Sequence, residues 1–102
     1  MDLTKAYPFD FVEIEWRDAS GDTGWKNLSE IKEEHTLVTS YGFLLRKTRH
    51  HYLIGSSLYF DDEEDEYAFG DRNHIPRGMV KSFRVLIPKN SPGADSPQQV
   101  VA

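Results

Sequence analysis

Hydrophobic and polar residues alternate over residues 9–16, with Val12, Ile14 and Trp16 on one face and Phe11, Glu13 and Glu15 on the other. A period of two marks a strand with one buried face. Residues 18–24 are Asp, Ser, Gly and Thr around a single Ala, the composition of a loop. A short helix is expected next, over residues 27–34. Asn27 or Ser29 would cap it, Leu28 and Ile31 would be its buried stripe, and Glu30 and Glu33 would suit its positive end. So short a helix must lean on the rest of the domain.

Residues 37–47 read as a long strand, with Tyr41, Phe43 and Leu45 on one face and Gly42, Leu44 and Arg46 on the other. Gly42 inside it predicts a bend or a close approach of two backbones. Residues 52–60 form another strand, interrupted by Gly55. The run Asp61-Asp62-Glu63-Glu64-Asp65-Glu66 is expected as a solvated loop or hairpin tip. Extended chain resumes at Tyr67-Ala68-Phe69, and a further extended piece ends at His74-Ile75-Pro76, because proline cannot donate to a ladder. Residues 80–87 are the last strand. From Pro88 onward Pro, Asn, Ser, Gly and Gln predominate, and residues 88–102 are expected to be a disordered tail. The expected architecture is mainly β: one domain over residues 1–87, a small five-stranded barrel with one short helix. An open α+β sheet is the second choice.

Composition narrows the function classes. The chain of 102 residues has no Cys, which excludes disulfides and thiolate metal sites. No window reaches the roughly 18 apolar residues of a membrane span. The first residues, Met1-Asp2-Leu3-Thr4-Lys5, lack a basic head and apolar stretch, so a cytoplasmic protein is expected. Net charge is −5, which argues against a polyanionic ligand until its distribution is considered. Six of the 17 acids lie in the run at residues 61–66, and the others are outnumbered by the 12 Lys and Arg. Outside that run, residues 36–90 hold Arg46, Lys47, Arg49, Arg72, Arg77, Lys81, Arg84 and Lys89 against Asp71 alone. The body of the domain is therefore basic, and local fields govern capture of a polyanion.

Two candidate sites follow. Arg46, Lys47, Arg49, His50, His51 and Tyr52 lie around one turn, where imidazole and phenol could stack on a base while the cations neutralise phosphate. The same composition also suits a solvated hairpin tip. His50 and His51 do not make a metal pair, because adjacent strand residues point to opposite faces. Arg77-Gly78 is the second site, a turn whose guanidinium could grip phosphate or stack on a base, or simply stand in water. The acidic run lacks the glycine turn and spaced ligands of a calcium loop. No phosphate loop, metal-ligand helix or nucleophile elbow occurs, so a non-enzyme without cofactors is expected.

At Gly42-Phe43-Leu44, His50, Leu53-Ile54 and Ile75-Pro76-Arg77-Gly78-Met79-Val80 the chain resembles the Sm/LSm family of small RNA-binding barrels. The resemblance covers about residues 37–87. It aligns Gly42 and Leu44 with the opening of the family's first motif and His50 with its stacking position. Arg77-Gly78 aligns with the second motif, with one residue inserted after Ile75. Thr48 and Tyr52 stand where the family carries Asp and its base-binding Asn, and a strand precedes the helical segment where the family begins with a helix. The resemblance implies a homo-oligomeric ring of about five to seven subunits in which both turns meet near a pore and bind RNA or single-stranded DNA. The spacing of Ile75-Pro76 and Val80 is also similar to SH3-like barrels, which make a short helical turn before the last strand. Trp16, Asp18-Ala19, Gly24-Trp25 and Tyr41-Gly42-Phe43-Leu44, together with the Ile-Pro-Arg-Gly-Met-Val block, resemble a group of small marine phage and cyanophage-like proteins. That likeness implies a phage-infected host cell as the setting. It also admits a second function, an adaptor or inhibitor that binds a host or virion protein.

Overall fold

The computed structural model describes residues 5–18, 25–30 and 36–92. They form five strands: β1 (Phe11–Asp18), β2 (Thr36–Lys47), β3 (His51–Asp61), β4 (Glu66–Pro76) and β5 (Val80–Ile87). All neighbours are antiparallel, in the order β4-β3-β2-β1-β5. The fold is thus mainly β, as the alternation predicts. β4 is one continuous strand paired to β3 from Glu66 to Pro76, where the sequence suggested two extended pieces.

The expected helix is not formed in the described part of its range. Leu28–Glu30 makes a single 3-10 turn, closed by the Glu30 N–H donating to the Asn27 carbonyl at 2.8 Å, and residues 31–34 lie outside the described residues. Leu28 is 86% exposed rather than part of a buried stripe, and Trp25 is fully exposed. A second 3-10 turn, Arg77–Met79, joins β4 to β5.

One cluster draws on every strand. Val12 and Ile14 of β1, Tyr52 and Ile54 of β3 and Ile75 of β4 are buried, and Leu44, Val80 and Phe83 from β2 and β5 pack against them with Trp16. Each buried aliphatic side chain contributes about 1.5–3 kcal/mol. The rings of Tyr52 and Phe83 stack at 4.8 Å with planes 23° apart. Three strand-to-strand steps separate β3 from β5, about 14 Å in a flat sheet. The sheet must therefore curl strongly around this core. It does not close, because no ladder joins its edges, β4 and β5.

Pleating sends Phe11 and Phe43, partners in register, to the opposite face from Val12. There Phe43 packs against Tyr7 and Phe11, and Phe9 meets Tyr67 and Phe69 edge-on. The segment bearing Tyr7 and Phe9 is tied to the chain after β5. Asn90 N–H donates to the Tyr7 carbonyl at 2.6 Å, Lys89 N–H to Asp10 Oδ1 at 2.7 Å, and Ala6 bridges to Pro92. Residues 88–92 of the expected tail are thus held against the sheet, and residues 93–102 lie outside the described residues.

Gly42 occupies the close approach that its position in β2 predicts. A Cβ there would come within 2.9 Å of the Gly55 carbonyl oxygen. Just beyond it the β2–β3 register skips Leu45, a bulge that turns the end of β2 toward the turn.

Candidate nucleic-acid interface

The turn between β2 and β3 is short, and Thr48 locks it. The Thr48 N–H donates to the His51 carbonyl at 2.9 Å, and its hydroxyl accepts the His51 N–H at 3.0 Å while donating to the same carbonyl at 3.1 Å. Arg49 and His50 stand at the tip, flanked by Arg46 and Lys47, all exposed. Among the described residues none of these cations forms an ion pair.

Arg77 brings the second predicted turn to the first. Its N–H donates to the His50 carbonyl at 2.8 Å, and its Nη1 donates to the Thr48 carbonyl at 3.0 Å. Its guanidinium carbon lies 5.1 Å from the centre of the Tyr52 ring, a cation–π contact. A guanidinium carries five N–H donors in a planar fork, so Arg77 keeps donors for an anion after fastening the turn. Gly78 follows, with no atom within 4 Å of where a Cβ would stand. It opens onto a cleft of about 330 Å³ shared with Arg17, Met79, Val80 and Lys81.

Tyr52, read from sequence as a stacking residue, is in the core. It is only 8% exposed and its ring packs on Phe83, so its task is to carry the Arg77 guanidinium. The remaining predicted residues, Arg46, Lys47, Arg49, His50, His51, Arg77 and Gly78, are exposed and gathered at one end of the sheet. His74, missed from sequence, joins them. Its imidazole meets that of His51 edge-on, with ring centres 6.3 Å apart.

Other charges are occupied elsewhere. Arg84 pairs with Glu13 at 3.2 Å and Lys81 with Glu15 at 3.4 Å on the outer face of β1 and β5. Tyr41 hydrogen-bonds the Glu13 carboxylate, which holds the Tyr41 hydroxyl above its ordinary range, with the negative charge of Glu13 adding to the effect. Lys81 and Arg84 therefore contribute less free charge than the sequence count implies. The acidic run is the tip of the β3–β4 hairpin, where Asp61 Oδ1 accepts the N–H groups of Glu63 and Glu64. β3 runs 11 residues between the basic turn and this acidic tip, about 36 Å at an extended rise. The two charge clusters lie at opposite ends of one strand.

Among the described residues no group of three or more His, Cys, Asp or Glu could hold a metal. No helix of the described chain is long and apolar enough to cross a membrane. Comparison with protein families, curated proteins and solved structures finds no match.

Proposed function

We propose that this chain captures single-stranded nucleic acid, RNA or DNA, at the end of the sheet where the β2–β3 turn meets the Arg77 turn. The observation that carries this reading is the pair of hydrogen bonds from Arg77 to the His50 and Thr48 carbonyls. They bring two separately basic segments into one surface, on which Arg46, Lys47 and Arg49 have no carboxylate partner among the described residues. Capture is electrostatic, with His50 supplying stacking and little reading of base identity, since Tyr52 is buried. The curled sheet is read as a small Sm-like or SH3-like barrel in which pairing of the free β4 and β5 edges between copies closes a homomeric ring. Its setting is the cytoplasm of a phage-infected cell.

Fluorescence anisotropy with a labelled single-stranded oligonucleotide tests the site. Arg46→Gln, Lys47→Gln and Arg49→Gln should each weaken binding and lower the salt slope by about 0.7 for every phosphate that is no longer neutralised. Unchanged affinity in the Arg77→Ala, His50→Ala double variant would refute the site assignment. Light scattering that returns a monomer would refute the ring.

One observation favours a second reading. The six-residue acidic tip stands clear of the basic end and could present a nucleic-acid-like surface to a basic host or virion protein, making the chain an adaptor or inhibitor. A partner retained from host lysate after nuclease treatment, and lost when the tip is neutralised, would support it.

A further inference from the structure

The ladders bring together three side chains that the sequence keeps apart. Arg46 of β2, Leu53 of β3 and His74 of β4 are partners in one row across three strands. His51 lies two residues before Leu53 and so on the same face, diagonal to His74, and their rings meet at 6.3 Å with planes 88° apart. Arg72, two residues before His74 on β4, continues this face opposite Gly55. Arg46, His51, Arg72 and His74 are all exposed, around a floor of half-buried Leu53 and buried Gly55.

We infer that Arg46, His51 and His74 form a phosphate-binding face in which anion binding is coupled to proton uptake by the two imidazoles. The inference rests on the nucleic-acid reading and deepens it by assigning the backbone contact to the outer face of β2, β3 and β4, beside the turn. Three observations favour an anion over a metal ion. Guanidiniums flank the imidazoles on both outer strands, no group of three or more His, Cys, Asp or Glu among the described residues could hold a metal, and no carboxylate occupies these rows. The charged and titratable groups around the pair are Arg46 on β2, Arg72 on β4 and Arg49 and His50 in the adjoining turn, while the Arg77 guanidinium lies over Tyr52 on the opposite face. The nearest acid on β4, Asp71, accepts the Ser57 hydroxyl at 2.8 Å.

A phosphate seated against the two imidazoles is attracted more strongly when they carry a proton each. Histidine changes charge between about pH 5 and 8. Phosphate therefore binds more tightly as pH falls, and bound phosphate in turn favours the protonated rings, by linkage.

The test measures affinity for a labelled oligouridine or oligothymidine at constant ionic strength from pH 7.5 to 5.5. Wild type should tighten about tenfold, the result of taking up roughly half a proton per bound strand across this interval. His51→Gln and His74→Gln should each reduce that gain to about threefold, and the double variant should remove most of it, leaving only what His50 supplies. Arg46→Ala should weaken binding at every pH without changing the slope, because guanidinium does not titrate in this range. All of these side chains are exposed, so the variants should keep the wild-type fold, checked by circular dichroism. A double variant that keeps the wild-type pH slope overturns the inference while leaving nucleic-acid binding intact. If wild type binds no oligonucleotide at low salt, the nucleic-acid reading falls instead, and pyrophosphate decides the phosphate face. Proton NMR should then show the His51 and His74 ring signals titrating at higher pH when pyrophosphate is added, and no displacement of either titration overturns the face itself.

Discussion

Gly42→Ala and Gly78→Ala should move stability in opposite directions, and the geometry supplies both signs. At Gly42 a Cβ would stand 2.9 Å from the Gly55 carbonyl oxygen, 3.2 Å from its carbonyl carbon and 3.3 Å from the Ile54 Cβ. Those atoms belong to the β2–β3 ladder and to the buried core, so none can swing aside as the end of a flexible side chain would. Overpacking of this kind costs about 1–3 kcal/mol. Replacing glycine also removes backbone freedom from the unfolded chain, which stabilises by about 0.4–1 kcal/mol at a compatible site. The steric term is larger, and Gly42→Ala should lose about 1–2 kcal/mol. Gly78 has no atom within 4 Å of the new methyl and no positive φ, so only the unfolded-state term acts. Gly78→Ala should gain about 0.4–1 kcal/mol. Urea unfolding followed by tryptophan fluorescence measures both, and in thermal melts each kcal/mol corresponds to about 4–8 °C for a domain of this size. Gly42→Ala as stable as wild type, or equal shifts in the two variants, would show that β2 and β3 are not in the close contact described.

Three further outcomes follow from particular contacts. Arg77→Ala removes a hydrogen bond to the Thr48 carbonyl and a cation–π contact with Tyr52, both near the surface, and should cost about 1–2 kcal/mol in urea unfolding; Arg77→Lys should recover less than half of that, since a point charge cannot reproduce the fork. Tyr52→Leu should destabilise by about 1–3 kcal/mol through loss of the Phe83 stack, and should weaken oligonucleotide binding by the folded protein no more than Arg77→Ala does, since it removes only the support under that guanidinium. A large loss of affinity with unchanged stability would mean that Tyr52 touches the ligand. Glu13 raises the Tyr41 pKa, so the folded state holds that proton more tightly than the unfolded chain. The associated stability is fully present below the unfolded tyrosine value near 10 and is lost as pH rises through the folded value. Absorbance titration of tyrosinate should therefore lose a component above the ordinary tyrosine value in Tyr41→Phe, and a curve that loses a component at or below that value would contradict the Glu13 contact.

Much of the fold was legible because strands announce themselves by alternation. Val12, Ile14 and Trp16 read as one face and are one face of β1, and the glycine in β2 marked a backbone contact that the structure contains. The helix misled because Asn27, Ser29 and the glutamates are helix-starting residues whether or not a helix follows. Helical pattern in a segment this short carries little weight without packing, and Leu28, in the described part of the stripe, is exposed. Sheet closure was not legible at all. It depends on whether β4 and β5 meet, and alternation within a strand says nothing about which edges pair.

The site was legible as charge but not as side. Tyr52 follows six polar and basic residues, and that company suggested a binding role. Its strand parity with the buried Ile54 pointed the other way, and parity prevailed, because every second residue of β3 must face the core. The same rule sends His51 and Leu53 outward, but it could not reveal His74, whose neighbour is set by the β3–β4 register across an acidic loop. Once Asp61 pairs with Glu66, each later step along the ladder is determined, and His74 falls opposite Leu53 and diagonal to His51. The hairpin that holds the acidic tip at one end therefore fixes the imidazole pair at the other. A change in the length of the tip that shifted this register by one residue would turn His74 to the opposite face and remove it from His51, so the acidic loop governs the basic face through the ladder as well as through charge.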